Sequence, residues 1–183
     1  MKSFVYAVLA MLSLMLAVPV SAKAGDPVKI MFVDTGNTGR SITAETIARI
    51  HVAATHKAAL FISRGLDADP FETSVEMNFQ ILWSQRGINL SAHRAELMTA
   101  QDVKKSDLIL TMTGKHKTRI IEAHPDAAYK TFTLVEYANG GSDEIEDAYG
   151  KPLEFYQKTL GALDGLVPQA VDKAIAQGAP KKP

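Results

Sequence analysis

Short apolar runs alternate with longer amphipathic stretches along most of this chain. The apolar runs, rich in β-branched and aromatic residues, predict four strands at 28–33, 60–62, 108–112 and 131–134. The amphipathic stretches predict helices at 41–55, 74–86, 99–104 and 114–123, and a last helix that begins at Pro152. Because strands alternate with helices, we predict an α/β fold: a doubly wound, parallel four-stranded sheet with helices on both faces.

Two regions of the C-terminal half add detail to this pattern. Apolar residues recur at helical spacing from Leu153 to Ala174, which predicts one long helix with a buried face. Between 137 and 149 the periodicity is lost, glycines are frequent and acidic residues cluster, which predicts a long acidic loop. These acids match no metal-binding motif, so we predict no metal site and no cofactor. The histidines also lack ligand spacing and are expected at the surface or in local hydrogen bonds: His51, His56, His93, His116 and His124.

Residues 1–24 differ from the rest of the chain. A lysine near the start is followed by an apolar run at 4–18, a proline and several small residues, which is typical of a secretory signal peptide. The candidate cleavage patterns are 22–24 and 20–22. The alternative is an uncleaved membrane anchor, although the run is short for a transmembrane helix. We therefore expect a periplasmic or secreted domain at 25–183, without a membrane span once the signal is removed.

The composition is that of a globular chain. Of the 183 residues, 46% are apolar and 22% are charged, which is enough for the core of one domain. Basic and acidic residues number 20 each, and removal of residues 1–24 leaves 18 against 20, a net charge of −2. This balance argues against nucleic-acid or membrane-surface binding driven by bulk charge. The chain has no cysteine, which excludes disulfides, a thiolate nucleophile and cysteine metal sites.

The segment 34–41 joins the first predicted strand to the first predicted helix. It contains two glycines, Arg40 near its end, and Ser41 in position to cap the helix. A strand-to-helix turn of this kind directs backbone N–H groups into one concavity, where the helix dipole adds partial positive charge. The fork-shaped guanidinium of Arg40 completes a site suited to an oxyanion. On glycine content alone, a simple tight turn remains the alternative.

The string V-D-T-G-N-T-G-R-S at 33–41 resembles the phosphate-binding loop of the low-molecular-weight protein-tyrosine phosphatases, V-C-x5-R-S. The resemblance extends over residues 28–176. Four further segments resemble motifs of that family: Ser63-Arg64-Gly65, Gly87-Ile88 with His93-Arg94, Asp107 to Thr113, and Glu146 to Gly150. Within the family, Thr38 and the segments 112–117 and 132–137 are most similar to the bacterial protein-arginine-phosphatase branch.

The resemblance implies roles for individual residues. In the family a cysteine attacks phosphorus, an arginine clamps the phosphoryl oxygens, and an aspartic acid protonates the leaving group. By position these catalytic roles fall on Asp34, Arg40 and Asp147. The loop residues implied to bind the phosphate are Thr35, Gly36, Asn37, Thr38, Gly39, Arg40 and Ser41. Among them, Asn37 would brace the loop and Ser41 would hydrogen-bond the nucleophile.

Three positions depart from the family pattern. Asp34 stands where the family has its nucleophilic cysteine, and Gly39 stands where many members have a second cysteine. In the acid loop, Ala148 replaces a proline beside Tyr149, which the resemblance places at the mouth of the site. Only the first departure removes a group that takes part directly in the family's chemistry.

An aspartate at position 34 changes what the loop can do. A carboxylate is ionised near pH 4 without help, and the loop N–H groups would hold its lone pairs in hydrogen bonds, which makes it a poorer nucleophile than a thiolate. Its oxygens also reach about 1 Å further from Cα than a cysteine sulfur, into the space for phosphate oxygens. We therefore predict that thiol-type phosphatase activity is lost, and that phosphate binds more tightly as the pH falls and Asp34 protonates.

Three functions remain compatible with these residues. The first is an exported phosphatase-fold protein that binds a phosphorylated protein or a small phosphate or other oxyanion without thiol catalysis. The second is an active hydrolase with Asp34 as nucleophile or base and Asp147 as general acid. The third is a partner-binding module that keeps only the fold. Arsenate reduction, known for relatives of this fold, requires thiols and is excluded by the composition.

Overall fold

The computed structural model describes residues 26–182, so the predicted signal peptide lies outside the described residues. Its strands are β1 Val28–Asp34, β2 Ala59–Gly65, β3 Leu108–Thr111 and β4 Thr131–Thr133. Its helices are α1 Arg40–Thr55, α2 Met77–Gln85, α3 Ala100–Lys105, α4 Gly114–Ala123, α5 Leu134–Asn139 and α6 Leu153–Gln177, with a 3-10 turn at Pro125–Lys130. No helix within this described range is long and apolar enough to cross a membrane.

The four strands form one parallel sheet in the order β2-β1-β3-β4, as the α/β prediction required. Alternate residues of β1 face opposite sides of the sheet. Ile30 and Phe32 join the larger core cluster, to which α1, α2 and α6 contribute. Met31 and Val33 join a smaller cluster with residues of α3 and α4. Helices therefore cover both faces, and all strands end at one edge, where parallel sheets place their ligands.

The long C-terminal helix also follows the sequence prediction. Its apolar stripe is buried from Tyr156 to Ala174 against the larger core cluster. Pro168 lies inside the helix without ending it. Trp83 and Met112 also lie in the core, since neither residue is more than 1% exposed.

Several predicted boundaries were wrong. The helix expected from residue 74 begins at Met77, because the Glu76 N–H donates to Thr38 O at 2.9 Å and Glu76 has a non-helical ψ of 134°. The strand expected to reach Leu134 ends one residue earlier. Thr133 and Glu136 form a capping box there, which starts α5 inside the segment predicted as strand and loop. The loop predicted at 137–149 consequently begins after α5, and the 3-10 turn was not predicted.

Candidate functional site

The loop after β1 is shaped by one residue in a left-handed conformation. Asn37 has φ of 58°, which asparagine tolerates better than most residues. Its side-chain amide donates to Ser41 Oγ at 3.0 Å, and its Oδ1 accepts the Glu96 N–H at 2.9 Å. Its carbonyl oxygen lies 2.8 Å from His93 Nε2. The loop is therefore held by its own helix and by the segment at 93–96.

Asp34 lies at the floor of this loop with only 2% of its surface exposed. Its Oδ1 accepts the Asn37 N–H at 2.6 Å, and its Oδ2 accepts the Ser41 N–H at 2.8 Å. The carboxylate therefore faces the loop, as the sequence led us to expect. Both of its oxygens are engaged by backbone donors of the loop and of the first turn of α1.

Other N–H groups of the loop are not used within the protein. Across residues 26–182, no acceptor is found for the backbone N–H groups of Thr35, Gly36, Thr38, Gly39 and Arg40. The N–H of Arg40 belongs to the first turn of α1, where the helix macrodipole contributes partial positive charge. The loop thus keeps a set of donors suited to an oxyanion, even though Asp34 takes two further donors for itself.

Arg40 pairs with the acid loop rather than with Asp34. The residue is 5% exposed, and its guanidinium has Nη2 2.6 Å from Asp147 Oδ2 and Nη1 donating to Ile145 O at 3.2 Å. Asp147 Oδ1 accepts the Tyr149 N–H at 3.1 Å, so both oxygens of Asp147 accept hydrogen bonds. The segment 145–149 therefore lies over the loop after β1, and Asp147 neutralises the charge of Arg40.

These residues surround a cavity of about 230 Å³ at the carboxyl edge of the sheet. It is lined by Asp34, Thr35, Gly36, Thr38, Arg40, Asp67, Asp69, Glu72, Glu76, Asp147 and Tyr149. The structure thus brings the three candidate catalytic residues and the candidate mouth residue together, while Asn37, Gly39 and Ser41 lie behind the lining. A larger groove of about 680 Å³ runs along α2, but no ionisable side chain lines it.

Comparison with known proteins agrees with this arrangement. The family model for low molecular weight phosphotyrosine protein phosphatase matches residues 29–179. The chain belongs to this family. A protein-arginine-phosphatase of Geobacillus stearothermophilus is 29% identical over 150 residues, covering 80% of this chain and 96% of that protein. The low molecular weight protein-tyrosine-phosphatase PtpB of Staphylococcus aureus is 37% identical over 143 residues, covering 76% and 94%.

A solved structure shows the same fold. The YwlE arginine phosphatase, as a cysteine-to-serine mutant with a phosphorylated active-site serine, matches with a TM-score of 0.76 and 28% identity. The match covers 80% of this chain and 95% of that one. The predicted likeness to the arginine-phosphatase branch of the low-molecular-weight phosphatases is confirmed by these relatives.

His116 contacts the loop at 34–41, called the phosphatase loop from here on. The sequence did not indicate this contact. The side chain is buried at the start of α4, with Nε2 3.0 Å from Thr35 Oγ1 and Nδ1 3.0 Å from Thr113 Oγ1. Burial, assisted by the positive charge of Arg40, lowers the pKa of His116 and favours the neutral ring. The expectation of a local hydrogen-bonding role is met, but the partner is a residue of the loop itself.

Glu76 was also missed, because nothing in the sequence links it to the phosphatase loop. It precedes α2 and lines the cavity, and its Oε1 accepts the Thr38 hydroxyl at 3.4 Å. Burial raises the pKa of Glu76, and the charges of Asp147 and Asp34 raise it further. The cavity therefore contains a carboxyl group that keeps its proton to a higher pH than an ordinary glutamate.

Proposed function

We propose that this protein uses its phosphatase loop to bind the phosphoryl group of a phosphorylated protein, or a small phosphate or other oxyanion, without thiol catalysis. One observation carries the proposal. The Asp34 carboxylate accepts the N–H groups of Asn37 and Ser41, while five other loop N–H groups have no acceptor within the described residues. Donors for an anion are thus retained where the nucleophile of the family is replaced.

The geometry of Asp34 argues against family-type catalysis. A thiolate attacks phosphorus with lone pairs that remain nucleophilic although the loop stabilises its charge. Both oxygens of Asp34 are held by short hydrogen bonds, at 2.6 and 2.8 Å, which stabilise the charge and direct the lone pairs at backbone donors. The relatives named above are phosphatases, so this loss of thiol chemistry is a departure of the present chain within an otherwise active family.

The same carboxylate controls the affinity for anions. An ionised Asp34 repels an incoming oxyanion and retains two donors, whereas a neutral side chain removes the repulsion. Binding should therefore strengthen when position 34 carries no charge. A neutral isostere at position 34 should give the same gain at alkaline pH.

Calorimetric titration with inorganic phosphate tests this proposal. Sulfate, whose charge is constant near neutral pH, is titrated in parallel at about pH 8. Removal of one like charge near a bound anion is worth about 1.4 kcal/mol or more, so Asp34→Asn should bind sulfate at least tenfold more tightly at pH 8. Asp69→Asn is the matched control, because Asp69 lines the same cavity without contacting the loop N–H groups.

Two outcomes would contradict the proposal. An Asp34→Asn variant that binds sulfate no more tightly than wild type at about pH 8 would show that Asp34 does not compete with the anion. An Asp34→Asn variant that gains no more affinity than Asp69→Asn would show that any carboxylate of the cavity has the same effect.

An active hydrolase remains the second candidate, because one structural relative supports it. In that YwlE mutant an active-site serine oxygen carries a phosphoryl group, so an oxygen can accept phosphate in that protein. Here an Asp34 oxygen would attack phosphorus, the leaving-group oxygen would depart with a proton from Asp147, and water would hydrolyse the acyl phosphate. Intact-mass measurement after p-nitrophenyl phosphate should reveal one hydroxylamine-sensitive phosphoryl group on Asp34. Its absence, together with no stable beryllofluoride adduct, would exclude this route.

We also propose that the protein is exported. The support is the pattern of residues 1–24 together with the absence of cysteine, since a reactive thiolate would be prone to oxidation outside the cytoplasm. N-terminal sequencing of the protein from fractionated cells should find a mature chain that begins after residue 22 or 24, outside the cytoplasmic fraction. A full-length chain in the cytoplasm would contradict the proposal.

A further inference from the structure

We propose that Glu76 belongs to the ligand site and carries the exchangeable proton through which the cavity hydrogen-bonds an oxyanion. This inference rests on the proposed function. No role for this position follows from the resemblance that links the rest of the site to the phosphatase family. It follows instead from four observations on the structure: the fixed position of Glu76, its fit against Gly39, its free oxygen and the charges that face it.

The position of Glu76 is fixed against the phosphatase loop. Its backbone N–H donates to Thr38 O at 2.9 Å, and its Oε1 accepts the Thr38 hydroxyl at 3.4 Å. A Cβ atom built at Gly39 would collide with Oε1 of Glu76. The glycine at the position where many family members have a cysteine thus leaves the space that the Glu76 carboxyl occupies.

The second oxygen of Glu76 is free. Within residues 26–182, Oε2 of Glu76 is one of only two buried side-chain oxygen or nitrogen atoms without a hydrogen-bond partner, the other being Ser63 Oγ. The Tyr156 hydroxyl lies close enough to the carboxyl to lower its pKa, but it does not satisfy Oε2. A buried oxygen of this kind costs free energy unless it finds a partner. A bound oxyanion would supply an acceptor for a proton on this carboxyl.

The charges that face Glu76 favour its neutral form. Burial has the largest effect and raises the pKa of Glu76, with Asp147 and Asp34 acting in the same direction. The Tyr156 hydroxyl and the guanidinium of Arg40 oppose this shift. Arg40 is itself paired with Asp147, which limits the charge it offers. A neutral carboxyl donates a hydrogen bond to an anion, whereas an ionised one repels it.

The other acids at the mouth of the cavity are less suited to this role. Asp67 is paired with Arg119 through contacts of 2.6 and 2.8 Å, which lower the pKa of Asp67 and keep it charged. Asp69 and Glu72 are exposed to solvent, where water screens their charges. Among the acids that line the cavity, only Glu76 has a buried carboxyl oxygen without a hydrogen-bond partner and also contacts the phosphatase loop.

The test replaces Glu76 by a neutral isostere. Glu76→Gln keeps the shape and an N–H donor at every pH, so sulfate affinity at pH 8 should rise at least tenfold over wild type and its pH dependence should shrink. Glu72→Gln is the matched control, since it removes an exposed carboxylate of the same cavity, and should change affinity less than threefold. Circular dichroism checks that each variant is folded.

A second measurement does not depend on the variant. If sulfate binds with the Glu76 proton in place, saturating sulfate must raise the pKa of Glu76 by linkage. A carbon-13 titration of the side-chain carboxyl, with and without sulfate, follows this directly. A role in packing alone would leave the titration of Glu76 unchanged by sulfate and would give Glu76→Gln no gain in affinity over Glu72→Gln. Either result overturns the inference.

Failure of this inference is distinguishable from failure of the proposed function. If Asp34→Asn binds sulfate at pH 8 while Glu76→Gln and the carboxyl titration show no effect, the loop binds anions without help from Glu76. If neither wild type nor Asp34→Asn binds phosphate or sulfate at any pH, both proposals are wrong.

Discussion

Gly65→Ala should destabilise the protein and disrupt the loop by direct collision. A Cβ at Gly65 would lie 2.8 Å from Thr35 O, 2.9 Å from Gly36 C and 3.0 Å from Asn37 N, whereas ordinary Cβ contacts begin at 3.4 Å. All three atoms are backbone of the phosphatase loop, and Asn37 N is a donor to Asp34. The backbone of Gly65 lies outside the left-handed region, so contact rather than conformation forbids alanine.

Neither side of this contact can move freely. The Gly65 N–H donates to Glu96 O at 2.9 Å, and the Gly65 carbonyl accepts the Met98 N–H at 2.8 Å. On the other side, Asn37 is held by Ser41 and Glu96. Overpacking typically costs about 1–3 kcal/mol, and because rigid backbone is involved on both sides we expect about 3 kcal/mol here. That corresponds to a fall in Tm of about 6–12 °C for a protein of this size.

Urea unfolding followed by circular dichroism measures the loss. Gly161→Ala is the matched control, because Gly161 lies in α6 with nothing near its Cβ position, and alanine there should stabilise the helix by about 0.5–1 kcal/mol. Gly65→Ala should also lose sulfate binding. If Gly65→Ala unfolds within about 0.5 kcal/mol of wild type and binds sulfate normally, our reasoning about this contact is wrong.

Two further predictions concern Gly39 and His116. Gly39→Ala meets the end of the flexible Glu76 side chain and, at 3.2 Å, the buried ring of Phe79, so it should cost about 1–2 kcal/mol. Chemical denaturation should show a smaller cost in a Glu76→Ala background, where only the Phe79 contact remains. A loss of equal size in both backgrounds would argue against the contact. For His116, whose pKa is lowered on folding, stability should be complete above about pH 6.5 and decline as the pH falls toward the lower folded value. Unfolding of His116→Gln across this range should lack that decline, and an unchanged pH profile would count against it.

The sequence was sufficient for the parts of the structure that depend on local pattern. The strand at β1, the loop after it and the start of α1 could be predicted because an apolar run, two glycines and Arg40-Ser41 lie within fourteen residues of one another. The expected capping role of Ser41 was wrong, because Gly39 is the N-cap and Ser41 lies inside the first turn of α1, where its Oγ accepts the Asn37 side-chain amide at 3.0 Å. The parallel sheet followed from the alternation of strands and helices. Thr133 and Glu136 also have the spacing of a capping box, but the apolar run around Thr133 indicated a strand that continues to Leu134.

The contacts that decide the chemistry of the site depend on distant pairs. Arg40 and Asp147 are 107 residues apart, and only the folded chain shows that the guanidinium of Arg40 forms its ion pair with Asp147 rather than with Asp34. The Glu76 carboxyl accepts the hydroxyl of Thr38, which lies 38 residues earlier in the chain, and no motif marks the segment that contains Glu76. Such pairings are set by the packing of loops on the sheet edge, which periodicity and short motifs do not report.

Phosphatase activity of Asp34→Cys shows whether Asp34 occupies a loop that is otherwise intact. Turnover of p-nitrophenyl phosphate is measured at neutral pH without added metal, for wild type and Asp34→Cys. We predict that wild type does not exceed the uncatalysed background rate and that Asp34→Cys exceeds this background at least hundredfold, about the scale of a restored nucleophile. Family-like turnover by wild type, or an Asp34→Cys variant that is folded and remains inactive, would contradict the account.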